Sequence, residues 1–222
     1  MQIEKKQIAY NRVTRNSAIR YIVIHDTGNK SKGADADSHF RYFNGGNRNS
    51  SADFFVDDKT VLQVNDYTKY YTWHVGDGKG KYGITNQNSV GIEICVNADG
   101  NYDGAYVKAV ELTKYLMKQL GIGAERVVRH YDASRKNCPT SMSANNWALW
   151  EKFKQLIKEE IKMAECKFTD ISGHYGEKQI REVFEMGIMN GVDETHFEPD
   201  KPVTRAQAAI IARNVVRYIT GK

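Results

Sequence analysis

Short runs rich in β-branched residues alternate with helical patterns as far as residue 163, and this alternation restricts the fold more than any other feature. The run at 19–25 (IRYIVIH) is typical of a buried strand, and SVGIEICVN at 89–97 is a second strand. A helical pattern follows at 103–120, and another begins at Asn145. Strands that alternate with helices in this way predict an α/β fold with a sheet covered by helices.

The helix at 103–120 has sequence signals at both ends. Asp103 is the expected N-cap, and Gly121 is the expected stop. Helical spacing predicts an apolar face that consists of Tyr106, Val107, Val110, Thr113, Leu116 and Leu120.

A shorter helix is predicted at 35–43. It should turn Phe40 and Phe43 inward and leave His39 on its surface. Gly45, followed by a second glycine, is the expected end of this helix.

The segment between that helix and the second long strand contains a hairpin and a long loop. Two strand-like runs at 52–57 and 60–65 flank a two-residue turn, Asp58-Lys59. Residues 71–91 are rich in glycine and turn signals. A loop of this length in a compact domain is typically functional or mobile.

Length and composition describe an ordinary globular chain. Its 222 residues suit one medium domain, or a domain with a small appendage. Hydrophobic residues make up 41% and charged residues 27%, and no apolar run is long enough to cross a membrane. The N-terminal residues 1–12 (MQIEKKQIAYNR) lack the apolar core of a secretory signal, so we expect synthesis in the cytoplasm without export by that route.

The net charge of +5 is unevenly distributed. Residues 168–222 hold 7 Lys+Arg against 8 Asp+Glu, whereas residues 1–167 hold 25 against 19. A basic first part suits an anionic polymer as partner. Because the chain has no basic helix and no RNA-binding aromatic signature, nucleic acid is the less favoured polymer.

Three cysteines are an odd number for a disulfide framework. Cys95 lies in a strand-like run and is expected in the core, and Cys166 is expected to be a free thiol near a domain junction. Cys138 lies in the segment at 129–139 (RHYDASRKNCP), which also contains His130 and a lysine. That segment therefore has the highest concentration of candidate functional side chains in the sequence.

His25, His130 and Cys138 make a plausible set of three zinc ligands, because both histidines follow short apolar strands. Three protein ligands leave the fourth tetrahedral position open, as in catalytic zinc sites. The alternative is that His130 is a packed histidine and Cys138 a small buried hydrophobe. Spacing alone does not decide between the two, since no local C-x-x-C or H-E-x-x-H pair is present. Glu93 alternates away from its isoleucine neighbours, so it either faces solvent or lines a site.

Five segments in order resemble the zinc-dependent N-acetylmuramoyl-L-alanine amidases of the amidase-2 family, which are similar to peptidoglycan recognition proteins. The segments are YIVIHDTG (21–28), SADFFVDD (51–58), YTWHVGDG (71–78), SVGIEICVN (89–97) and RHYDASRKNCP (129–139). The resemblance covers residues 10–160 and implies a mixed central β-sheet flanked by helices. It also implies Zn²⁺ held by His25, His130 and Cys138.

The resemblance extends to the chemistry of the site. It implies that Glu93 is the catalytic base and that Lys136 donates to the developing oxyanion. The expected substrate-binding residues are Asp26, Thr27, Trp73 and His74. The plainer alternatives are an exposed strand glutamate, a solvated lysine and an ordinary loop histidine. Many relatives have a histidine where Asp53 stands, which puts the substrate-binding role of that position in doubt here.

From Phe168 onward the chain predicts a small helical module with helices at 176–187 and 204–219. Thr204 is the expected N-cap, with Gln207 as its capping-box partner. The segment starts with an aromatic-Thr-Asp motif at 168–170, has a Gly-Ile-x-Asn-Gly turn at 187–191 and opens its second helix with Thr-Arg-Ala at 204–206. In these motifs it resembles a single S-layer homology module, from which Tyr175 and Gln207 depart by replacing a tryptophan and a glutamate. The resemblance implies binding to a secondary cell-wall polymer, for which Arg205 is the candidate contact.

We therefore expect an amidase domain at 1–163, a linker at 164–167 reached through a helical exit at 158–165, and a cell-wall-binding module at 168–222. The resemblance implies hydrolysis of the bond between the MurNAc lactyl group and L-alanine of bacterial peptidoglycan. The apparent lack of a signal and the tail favour a phage or prophage endolysin acting on Gram-positive walls, without nucleic acid or membrane as partner. The alternatives are a bacterial autolysin, a non-catalytic peptidoglycan-binding module, and a structural zinc protein with Asp132 as fourth ligand. The oligomeric state stays open.

Overall fold

The computed structural model describes residues 2–158 and 166–220, which form two compact units divided between residues 159 and 160. The predicted helical exit at 158–165, apart from Lys158, and the first two residues of the predicted linker at 164–167 lie outside the described residues. The first unit contains all the strands of the described chain, and the second contains two helices. No helix in the described ranges is both long and apolar enough to span a bilayer.

A mixed six-stranded sheet is the centre of the first unit, as the predicted fold class requires. Its order is β1-β5-β4-β7-β3-β8, and β2 pairs with β6 in a separate antiparallel ribbon. The strands are β1 Glu4–Lys5, β2 Arg12–Thr14, β3 Tyr21–Asp26, β4 Phe54–Val56, β5 Val61–Gln63, β6 Tyr70–Thr72, β7 Ser89–Ile94 and β8 Val127–Arg129. Strands β3, β4, β7 and β8 run parallel where they pair, whereas β4 and β5 form the predicted antiparallel hairpin.

The described chain contains six α-helices, four in the first unit and two in the second. They are α1 Ala36–Asn44, α2 Tyr102–Leu120, α3 His130–Ser134, α4 Ala144–Lys158, α5 Glu177–Glu185 and α6 Arg205–Thr220. Helix α2 ends as predicted, because Gly121 takes a left-handed conformation with φ of 63°. Its N-cap is Asn101 and not Asp103, since the Asn101 side chain accepts the Gly104 N–H and Asp103 lies inside the first turn.

The prediction for Val107 was wrong, because its side chain is 54% exposed. The buried face of α2 centres on Ala105, Ala109 and Leu112. Two small alanines let the helix approach the sheet closely, and Val107 lies two residues, or about 200°, away from Ala105 around the helix axis. The rest of the predicted face is confirmed: Leu120 packs against the core, and the other four residues are buried, namely Tyr106, Val110, Thr113 and Leu116.

The two sides of the central strands have different roles. Ile22 and Ile24 of β3 pack with Ile92 of β7 in the main core, beneath α2 and α4. Because side chains alternate along a strand, His25 and Glu93 lie on the opposite side of the sheet. A second core on that side includes Phe40 and Phe43 of α1 and the buried Cys95, as predicted for all three. The site is built next to this second core.

The second unit has a small core of its own. Phe168, Ile171 and Ile180 are buried there. The predicted capping box at the start of α6 is confirmed: the Thr204 N–H donates to Gln207 Oε1 at 2.9 Å, and the Gln207 N–H donates to Thr204 Oγ1 at 3.2 Å.

Candidate metal centre

A cavity of about 220 Å³ opens where β3 and β7 end. Nine of the residues singled out in the sequence line it together: His25, Asp26, Thr27, Trp73, His74, Glu93, His130, Lys136 and Cys138. Two of them are brought together by strand register, since His25 and Glu93 are paired positions on β3 and β7. Arg205 belongs to the second unit, where it is the first residue of α6.

Three potential metal ligands converge at the base of the cavity. The His25, His130 and Cys138 side chains offer ligand atoms within 4.8 Å of one another, and each residue is at most 5% exposed. His25 Nδ1 lies 3.0 Å from His130 Nδ1 and 3.8 Å from Cys138 Sγ. Bond lengths of tetrahedral zinc place two nitrogens about 3.3 Å apart and a nitrogen and a sulfur about 3.6 Å apart. The donor set therefore fits a zinc ion.

Hydrogen bonds at the far side of each imidazole orient the two histidines. His130 Nε2 lies 2.7 Å from Asp77 Oδ1, so the ring donates there and directs its Nδ1 into the site. His25 Nε2 lies 3.0 Å from His74 Nδ1. Burial, followed by the charge of His130, lowers the pKa of His25 well below its ordinary value, and burial lowers that of His74 to about 3. Neutral imidazoles are the form that binds a metal.

Cys138 is held next to β3 by its backbone surroundings. Burial raises the pKa of its thiol, with the charge of Glu93 as a smaller cause, while a hydrogen bond from the Asp26 backbone N–H favours the thiolate. A bound cation reverses this balance, because a coordinating thiol is deprotonated.

Glu93 is a partly buried carboxylate, and one of its oxygens has no hydrogen-bond partner within the described chain. Its side chain is 18% exposed, and Oε1 lies 3.9 Å from His25 Nδ1. Within the described chain, Oε2 is buried without a hydrogen-bond partner, as is the Thr27 hydroxyl. Burial, and then the charge of Asp26, raises the pKa of Glu93 to about 8. A carboxyl group of this kind, beside three metal ligands, suits proton transfer.

Asp132 is occupied elsewhere and does not complete a four-ligand site. Its carboxylate accepts from the Arg129 guanidinium at 2.7 and 3.0 Å and from the Arg129 N–H at 2.8 Å. The metal-ligand cluster found among the described residues contains three members. The geometry is that of an open site, which disfavours the structural-zinc alternative.

Sequence reasoning missed two residues at this site. His39 is buried and not on the helix surface, because it stacks on Phe55 with ring centroids 5.2 Å apart, and it lines the cavity. Because residues four apart lie on the same face of a helix, the inward-facing Phe43 could have predicted that His39 also faces inward. Asp77 was missed because its partner, His130, is 53 residues away and nothing local marks the pair.

Asp53 has a structural environment in this chain. It is fully buried, and its two carboxylate oxygens accept from Asn65 Nδ2 at 2.7 Å and from the Gly91 N–H at 2.8 Å. Asp53, which departs from the family pattern, thus connects the start of β4 by hydrogen bonds to β7 and to the segment after β5.

Known proteins and protein families resemble both parts of this chain. Residues 15–141 match the family model described as N-acetylmuramoyl-L-alanine amidase (Amidase_2), and residues 167–209 match the S-layer homology domain. The chain is 40% identical to the amidase CwlH and 39% to the amidase XlyA, both of Bacillus subtilis strain 168, over 60% of its own length in each case. It spans about half the length of these curated relatives, 52% and 42%. The solved catalytic domain of XlyA superposes with a TM-score of 0.63 and 36% identity, covering 71% of this chain and 99% of that one.

Proposed function

Because this chain belongs to the Amidase_2 family of N-acetylmuramoyl-L-alanine amidases and carries an S-layer homology domain, we propose that it hydrolyses the amide bond between the MurNAc lactyl group and L-alanine of peptidoglycan, with zinc as cofactor. The observation that carries this proposal is the convergence of His25, His130 and Cys138 beside the unpartnered carboxylate oxygen of Glu93. A non-catalytic binding module would need neither the third ligand nor a buried carboxylate next to it.

His25, His130 and Cys138 would hold the zinc ion. When bound, zinc would supply Lewis-acid polarisation of the scissile carbonyl and a water that can be deprotonated near neutral pH. Glu93 would take the proton of that water and pass it to the departing alanine nitrogen. Its Oε2 atom has no hydrogen-bond partner within the described chain and Glu93 lines the cavity, so the carboxylate is free to accept a proton and then release it.

The remaining cavity residues would position the substrate. Lys136 is exposed at the cavity and would donate to the oxygen that becomes negative as the carbonyl is attacked. Trp73 offers an aromatic wall, and the Thr27 hydroxyl is free to bind a polar substrate group. The Asp26 carboxylate accepts from the Ser141 N–H at 2.7 Å, so its contribution is to fix the loop around the cavity.

We propose that residues 1–163 form the amidase domain, 164–167 a linker and 168–222 a module that binds a secondary cell-wall polymer. The division of the chain between residues 159 and 160 and the match of 167–209 support this arrangement. Arg205 is the candidate polymer contact, because a guanidinium at a helix N-terminus suits an anionic group. The likeness to a solved mutant endolysin from Bacillus subtilis, with 38% identity and a TM-score of 0.63, and the S-layer homology domain support the action of a phage or prophage endolysin on Gram-positive cell walls.

Zinc content and wall lysis test the proposal together. Cys138→Ser should lower zinc occupancy and abolish the loss of turbidity of purified walls, because a hydroxyl is a much poorer zinc ligand than a thiolate. Cys95→Ser is the matched control, since Cys95 is equally buried but belongs to the second core. Wild-type zinc content and lysis in the Cys138 variant would refute the assignment.

A further inference from the structure

A chain of hydrogen bonds leads from His25 away from the site into the interior. His25 Nε2 lies 3.0 Å from His74 Nδ1, and His74 Nε2 lies 3.1 Å from Ser89 Oγ. Ser89 Oγ in turn lies 2.6 Å from the carbonyl oxygen of Thr85. Ser89 is fully buried and His74 is buried. Water therefore competes little for these hydrogen bonds.

The direction of every hydrogen bond in this chain follows from its last member. The Thr85 carbonyl only accepts, so the single hydroxyl proton of Ser89 points at it. Ser89 Oγ must then accept from His74, which places the His74 proton on Nε2. A neutral His74 has an acceptor at Nδ1, so His25 donates to it from Nε2. His25 is left with its lone pair on Nδ1, facing His130 Nδ1 at 3.0 Å.

The surroundings hold this chain rigid. Asn86 Oδ1 accepts from the backbone N–H groups of His74 and Val75, at 3.0 and 2.8 Å. Asn88 Oδ1 accepts from the Thr85 N–H at 2.9 Å, which fixes the segment that carries the terminal carbonyl. The His74 ring lies directly against β7 at Gly91, where a Cβ atom would come within 2.7 Å of His74 Nδ1. The His74 ring is therefore closely confined in this position.

We propose that His74, held by Ser89 and the Thr85 carbonyl, is a positioning residue that fixes His25 in the tautomer able to bind the metal. The inference rests on the zinc site proposed above, and it gives His74 a role at the metal instead of at the substrate. It also gives a chemical reason for Ser89 at the start of β7 and for the ordered loop at 83–88.

The test compares zinc affinity in full-length proteins by competition with a chelator. Ser89→Ala removes the acceptor of the His74 proton but keeps the His74 ring. The proton of neutral His74 can then move from Nε2 to Nδ1, where it faces the N–H of His25 Nε2. We expect zinc affinity to fall about 10–100-fold, the usual effect of losing an outer partner of a metal-binding histidine. Thr113→Val is the matched control, because it removes a buried hydroxyl that donates to the Ala109 carbonyl, in α2 and away from the site. It should change zinc affinity less than twofold.

A second measurement needs no variant. Nitrogen-15 spectra of the histidine rings in zinc-loaded wild-type protein should show the His74 proton on Nε2, a signature that a merely packed ring would not be required to have. A proton on His74 Nδ1, or a Ser89→Ala affinity within twofold of wild type, would overturn the inference. If the wild-type protein lyses walls and binds zinc while either result is found, only the inference fails. A wild-type protein without zinc affinity would refute the proposed function itself.

Discussion

Asp53 is fully buried and Glu93 is partly buried. Burial raises the pKa of both carboxyl groups, but their hydrogen-bond partners give them different roles. Both oxygens of Asp53 accept hydrogen bonds from the surrounding structure. Glu93 Oε2 accepts none within the described chain, although it lines the cavity. A buried group without a partner costs stability and is retained where it has a chemical task.

Glu93→Gln should separate this chemical task from folding. The amide keeps the size of the side chain and cannot accept the proton of the attacking water. Activity on purified walls should fall by about 10²–10⁴-fold, the range for general acid–base catalysis, with zinc content and melting temperature unchanged. Activity within about threefold of wild type would show that Glu93 is structural.

Asp53→Asn should reveal the buried carboxyl group through the pH dependence of stability. The folded-state pKa of Asp53 is raised, so its contribution to stability is full below the unfolded-state pKa and is lost as pH rises through the folded-state value. The asparagine variant should be less stable by about 1–3 kcal/mol at low pH, because its NH₂ group meets the N–H donor of either Asn65 or Gly91.

The difference in unfolding free energy between the wild type and Asp53→Asn should then narrow as pH rises above about 4, the ordinary pKa of an aspartate. Urea unfolding of both proteins at increasing pH measures this difference. A difference that widens with pH would mean that hydrogen bonding outweighs burial and that the Asp53 pKa is lowered in the folded protein.

At the scale of elements, local pattern predicted the strands and helices well but not the contacts between distant elements. The apolar run ending at His25 and the alternation around Glu93 could be read directly. Their pairing on β3 and β7 is set by register over 68 residues of sequence separation, a contact that no local signal encodes. For the same reason Asp77 and Ser89 were not predicted as partners of the histidines. The Asn101 N-cap and the exposure of Val107 were missed because polar and small residues, not the largest apolar ones, decided them.

The glycine-rich loop after β6 offers a prediction at this scale. Asn86→Ala leaves the N–H groups of His74 and Val75 without their acceptor, and each unsatisfied buried donor costs about 1–3 kcal/mol. Hydrogen exchange at these two amides should accelerate, and the melting temperature should fall. Asn47→Ala is the control, because Asn47 Oδ1 accepts from the Asn49 N–H in an exposed turn. Unchanged exchange at His74 and Val75 would show that Asn86 does not hold the loop.

For the whole molecule, composition and charge predicted the change of character at Phe168, and the structure divides the chain a few residues earlier. Each unit has its own core, which is the physical condition for separate folding. The sequence does not predict how much the joined units increase the amount of enzyme at a cell wall, because that increase depends on two binding events at the same wall.

A chain cut after Met163 should therefore bind zinc and cleave a soluble muramyl peptide at nearly the full-length rate. On intact cells it should be slower by about tenfold or more, since the module raises the local concentration of enzyme at the wall. Arg205→Ala in the full chain should reproduce part of this deficit. Mass in solution, measured for each protein, distinguishes targeting from oligomerisation. Equal lysis of cells by the truncated and full-length proteins would eliminate the targeting role.

The central claim is that this chain cuts the lactyl–alanine amide bond, and the products released from purified walls test it most directly. New N-terminal alanine groups and new reducing ends of the glycan strands should be counted in the same digest. The account predicts that alanine amines appear in step with the loss of turbidity, that reducing ends stay at background, and that Glu93→Gln releases neither. New reducing ends in proportion to lysis, or amines at residues other than alanine, would contradict it.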